Sequence, residues 1–103
     1  MSFTIQLRPA VFEDVQHVHA WYEEQGLGLG DRFIAEFFDS LAILKSNPTI
    51  FAAYYREVRH YLLKRFPYGV YFRVEKEEVI VLRVFHCSRN QSSLRQTLSD
   101  FSP

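Results

Sequence analysis

RHYLLKRFPYGVYFRV, residues 59–74, gathers four basic and five aromatic residues into a segment that otherwise alternates like a strand. The alternation predicts strands over residues 56–66 and 69–75, separated by Pro67-Tyr68. On the second of these, Val70, Phe72 and Val74 face one way, Tyr71 and Arg73 the other. A third strand is predicted over 79–87, after the charged turn Lys76-Glu77-Glu78, and both connections are short enough for antiparallel hairpins. Residues 79–85 are apolar except for Arg83, as in a central strand covered on most of both faces.

Working back from this sheet, residues 31–46 repeat Phe33, Phe37, Leu41 and Leu44, with Ile34 and Phe38 beside them, a wide apolar stripe that predicts a core helix. Asn47-Pro48 closes it, because the residue before proline is pushed out of the helical region. Residues 10–25 carry Val11, Val15, Val18 and Tyr22 at helical spacing, with Glu13 and Asp14 read into the first turn and Gly26 as the stop. GLGLG, residues 26–30, follows a helix rather than a strand and has no lysine after it, so it reads as an interhelical turn and not a phosphate loop. FTIQLR, residues 3–8, alternates as a short strand ended by Pro9, and residues 49–55 read as a linker. The order β-α-α-β-β-β is an α+β domain, two helices packed as a hairpin against an antiparallel sheet.

The 103 residues suffice for one domain spanning 1–103. Residues 90–103 read as a flexible or weakly helical tail with Leu94, Leu98 and Phe101 at helical spacing. Apolar residues make up 48% and charged ones 23%, which describes a globular chain. Cys87 is the one cysteine, so no internal disulfide forms; it reads as a buried, inert thiol in a reducing compartment. No apolar run approaches a membrane span and the N-terminus lacks a signal layout, so the cytoplasm is the expected location. The 12 basic and 12 acidic residues balance, yet they divide along the chain. Residues 1–53 hold three basic against seven acidic; residues 54–98 hold nine against four. Such asymmetry creates a local positive field on a neutral molecule. The expectation is an uncovered sheet face rich in guanidinium groups, with acidic helices sealing the other side.

AWYEEQGLGLGDRF (20–33), LKSNPTIF (44–51), VRHYLLKRFPYGVYFRV (58–74) and VIVLRVFHCSRN (79–90) together resemble the RelE/ParE toxins of bacterial type II toxin–antitoxin systems. The resemblance runs through nearly the whole chain. It implies a compact toxin neutralised by a cognate antitoxin, with operator DNA reached only through the antitoxin. Two activities follow from the family: ParE-like inhibition of DNA gyrase, or RelE-like cleavage of messenger RNA in the ribosome. No cofactor or metal is implied. Ribonuclease members open the strand at Tyr68 with an arginine, where this chain has FPY (66–68), and many carry a late tyrosine, whereas none occurs here after Tyr71. Both departures lean toward the ParE and plasmid-stabilisation side.

Metal-independent RNA cleavage needs a base for the 2′-OH, cations for the phosphorane and an acid for the leaving oxygen. Arg59, Arg65, His86 and Arg89 are the candidates for such a site. Arg65 shares strand parity with Arg59, whereas Lys64 points to the opposite face. His86 has a plainer reading as a hydrogen-bonded strand end. Arg56, Lys64, Tyr68, Tyr71, Arg73, Arg83 and Arg95 are candidates for binding a target or an acidic antitoxin segment; the tyrosines also suit core packing with a wet hydroxyl. Trp21 reads as a helix-packing anchor. His17 and His19 sit two apart on a helix and share no ligand face, so HxH is not a metal site.

Overall fold

The computed structural model describes residues 2–88. Its elements run β1 (Thr4–Leu7), α1 (Pro9–Gln25), α2 (Leu29–Ser46), a 3-10 turn (Pro48–Ile50), β2 (Ala53–Tyr55), β3 (Val58–Leu62), β4 (Tyr68–Glu75) and β5 (Glu78–His86). The five strands form one sheet in the order β1-β5-β4-β3-β2. β2 to β5 pair antiparallel, while β1 lies parallel to β5 with Ile5 opposite Val79, so the sheet is mixed rather than wholly antiparallel. The N-terminal strand reaches this place because the helical hairpin supplies the long crossover that a parallel pair requires.

One face of the sheet receives the helices. Val11 and Val18 of α1 and Phe33, Phe37 and Leu44 of α2 meet Val70, Phe72, Val79, Val81 and Val84 there. Phe33, Leu44 and Phe72 are 0% exposed, and each such side chain contributes about 1.5–3 kcal/mol over an exposed one. The stripe at 33, 37, 41 and 44 therefore forms a helix because only helical spacing puts all four against the sheet.

Several sequence expectations are corrected. Residues 53–55, read as linker, pair with β3 through the two-residue turn Arg56-Glu57, where Arg56 has φ 54°. β3 stops at Leu62 instead of Phe66, so Lys64 and Arg65 lie on a loop and strand parity does not apply to them. That loop turns Leu63 and Phe66 into the core, which breaks the alternation. α1 begins at Pro9, leaving no acid in its first turn. Gly26 does end α1 as its C-cap, but in an extended conformation (φ −174°), and the left-handed residue of the interhelical turn is Gly28 (φ 82°). Cys87 is exposed, although desolvation of its sulfur pushes the thiol pKa up. The expected C-terminal helix, Arg89 and Arg95 lie outside the described residues.

Among the described residues the guanidinium-rich face is not found. The side of the sheet away from the helices carries Val58, Tyr71, Ile80, Leu82 and Phe85, joined by Tyr54 and Tyr55. The arginines scatter instead. Arg59, opposite Phe72, is on the helix side of β3, Arg73 is opposite Ile80 on the far side, and Arg83 reaches α1. Isolated guanidiniums on separate elements answer local needs, and charge counted along the sequence does not report faces.

Candidate functional site

Three of the expected site cations are tied to the fold. The Arg59 guanidinium donates to the carbonyls of Phe51 (2.6 Å) and Thr49 (3.3 Å), fastening the segment after α2 to β3. Arg83 donates from Nε and Nη2 to the two oxygens of Asp14 at 2.8 and 2.9 Å, and the Val84 N–H donates to the same carboxylate at 2.9 Å. Bonding to Asp14, against an opposing desolvation, holds the Arg83 pKa above its ordinary range. The register slips between Tyr71 and Phe72, where Leu82 is left without a partner on β4; Asp14 satisfies the amide just beyond this irregularity. Arg73 lies 3.6 Å from the Glu75 carboxylate.

Tyr71 is 3% exposed on the far side of the sheet. Burial, with the Tyr54 and Cys87 groups nearby, raises its pKa to about 12, so the phenol stays neutral. Arg56 is exposed at its turn, with its guanidinium 5.0 Å from the Tyr55 ring centre.

Two surface features bring the remaining candidates together. A groove of about 550 Å³ between α2 and the loop after β3 is lined by Arg32, Glu36, Asp39, Tyr61, Lys64 and Arg65, among others. Its loop wall is fixed by Glu36, whose carboxylate accepts the backbone N–H of Lys64 (2.5 Å) and Arg65 (3.2 Å). The Lys64 and Arg65 side chains are thereby offered as cations beside Arg32, while Glu36 is occupied.

The second feature is a cleft of about 330 Å³ where the ends of β4 and β5 meet α1, lined by Trp21, Tyr22, Pro67, Tyr68 and His86. His86 stands opposite Tyr68 in the ladder, their ring centres 5.0 Å apart and edge-on. The Ser88 N–H donates to His86 Nδ1 at 3.0 Å, and Ser88 Oγ lies 2.7 Å from the same atom. In the neutral ring the proton therefore sits on Nε2. Burial raises the Tyr68 pKa, and burial followed by the nearby Tyr68 raises that of Tyr22, so both phenols are hydrogen-bond donors at neutral pH. Trp21, expected as a packing anchor, is 53% exposed at the rim.

Arg59, Arg65 and His86 do not converge. Arg59 pairs with Phe72 and His86 with Tyr68, which separates them by about 13 Å along β4 and by two strand spacings across the sheet. Asp14 and Glu36 went unrecognised in the sequence, because each acts on a partner distant in the chain, 69 and 28 residues away for Arg83 and Lys64. Trp21 at the cleft rim had no signal separating it from a core aromatic.

The family described as the ParE toxin of the type II toxin–antitoxin system parDE matches residues 5–91. Among solved structures, the chromosomal ParDE toxin–antitoxin system from P. aeruginosa superposes with a TM-score of 0.74 at 18% identity, covering 82% of this chain and 96% of that one. The archaeal RelE–RelB complex from Pyrococcus horikoshii OT3 gives 0.54 at 14% identity, covering 87% of this chain and 100% of the other. No match was found among curated proteins.

Proposed function

The chain belongs to the ParE toxin family of type II toxin–antitoxin systems, and from that premise we propose that it arrests growth by binding DNA gyrase and is silenced by a cognate antitoxin. The observation that carries the choice of target is the dispersal of the candidate ribonuclease groups. Arg59 is spent on backbone carbonyls, Arg65 lies across the α2 groove, and His86 stands about 13 Å along the sheet from Arg59. Phosphoryl transfer without a metal requires cations and an acid–base pair converging on one phosphate. Association with a protein surface has no such requirement; it draws on exposed aromatic and basic side chains spread over a face. Trp21, Arg32, Lys64 and Arg65 are of that kind.

The antitoxin is proposed to place an acidic segment along the groove of Arg32, Lys64 and Arg65, where loss of like-charge repulsion favours binding. Operator DNA is then met only by the antitoxin, and the complex acts in the cytoplasm. A RelE-like reading rests on one feature, the fixed His86 tautomer, whose Nε2–H is left to donate a hydrogen bond to a phosphate oxygen. Inducing the chain without its antitoxin separates the two. Gyrase poisoning raises DNA-damage signalling and leaves messages intact in the wild type and in His86→Ala alike. Cleavage of translated messages, lost in His86→Ala, would replace the gyrase reading with the ribonuclease one.

A further inference from the structure

We propose that His19, Glu23 and Asp31 form a binding site for a divalent transition metal ion of the zinc class, clipped across the turn between α1 and α2. One ligand atom from each residue lies within 4.8 Å of the others. His19 Nε2 stands 2.9 Å from Asp31 Oδ1 and 4.0 Å from Glu23 Oε1. His19 and Glu23 are four apart on α1 and so share a face. Asp31 joins them because the helices nearly touch at Gly30, where a Cβ would lie 2.4 Å from the His19 carbonyl oxygen. That contact fixes the spacing of the three ligands before any ion arrives.

The carboxylate of Glu23 is already aimed. Its oxygens accept the N–H groups of Gly30 (2.8 Å), Asp31 (3.2 Å) and Gly28 (3.2 Å). Oε1 takes two of these donors and Oε2 one, so the acceptor position left for an ion is on Oε2, and hydrogen bonds of this kind orient ligands in metal sites generally. One imidazole nitrogen with two carboxylates suits zinc, cobalt or nickel; calcium and magnesium prefer all-oxygen shells. Asp31 is 79% exposed, so water completes the coordination.

A plain hydrogen bond between His19 and Asp31 also gives the 2.9 Å contact, and a titration distinguishes the two. Zinc chloride added to the full chain at neutral pH is expected to bind saturably at one equivalent and to raise the melting midpoint, with the His19 ring protons shifting in step. His19→Ala and Asp31→Asn each weaken binding at least about tenfold, whereas Cys87→Ser leaves it unchanged. The ring-proton shift is read on the wild type and stands even if a variant folds poorly. The proposal is overturned by absence of saturable binding, by equal binding in both variants, by loss only in Cys87→Ser, or by an equal midpoint shift with magnesium chloride.

Discussion

At the scale of the residue, Asp14 is the clearest case of a charge with a structural task. It binds a half-buried guanidinium through both oxygens and satisfies the Val84 amide beside the ladder's irregularity. An exposed ion pair contributes about 0–1 kcal/mol; here charge-assisted bonds, with an amide left stranded if they are lost, place Asp14→Ala at a loss of about 2–3 kcal/mol. Urea unfolding checks this, and a loss under about 0.5 kcal/mol would return Asp14 to the ordinary surface. His60 makes a second prediction. Its ring lies 5.0 Å from Tyr54 and 5.6 Å from Tyr71, and burial lowers its pKa below the ordinary 6.5. The unfolded chain therefore takes up a proton that the fold resists. The stabilising term is complete above about 6.5 and diminishes as pH falls through that value. Between pH 7.5 and 5.5 the urea midpoint is expected to drop more in the wild type than in His60→Gln; equal drops would contradict it. None of this was legible in the sequence, where Asp14 looked like a first-turn acid and His60 one polar position in an alternating strand.

At the scale of the element, legibility follows how local the cause is. Both helices were readable because Val11, Val15 and Val18, like Phe33, Phe37 and Leu44, declare their buried face within four residues. β2 was not, since three residues carry too little period and its pairing depends on the Arg56 turn. β3 was overextended because Leu63 and Phe66 continue an apolar look after the backbone has left the sheet. The parallel partner of β1 is about 74 residues away in sequence, beyond any local signal. The helix hairpin itself depends on Gly30. Alanine there gains about 1 kcal/mol in helix propensity but places its Cβ against the His19 backbone. Since backbone cannot rotate aside, overpacking of roughly 1–3 kcal/mol wins, and thermal unfolding of Gly30→Ala is expected several degrees below the wild type. An unchanged or higher midpoint would show that the helices separate freely at that turn.

At the scale of the whole molecule, the fold and the family were legible, and the charge map was not. The order of elements, the interhelical glycine turn and the FPY stretch carried the family resemblance, which the match over residues 5–91 bears out. A face of guanidiniums did not follow from the basic second half, because the described arginines are distributed among β3, a loop, a helix contact and the far side of the sheet. What remains outward is a groove edged by Arg32, Lys64 and Arg65 and an aromatic cleft at Trp21, Tyr68 and His86. On the proposed function, these are the places where gyrase and the antitoxin are held. The most direct measurement is a supercoiling reaction with purified gyrase, titrated with the full chain and then with its antitoxin. Supercoiling is expected to fall with added toxin, equally for the wild type and His86→Ala, and to return on addition of antitoxin. Undiminished supercoiling at a large molar excess of folded toxin would contradict it.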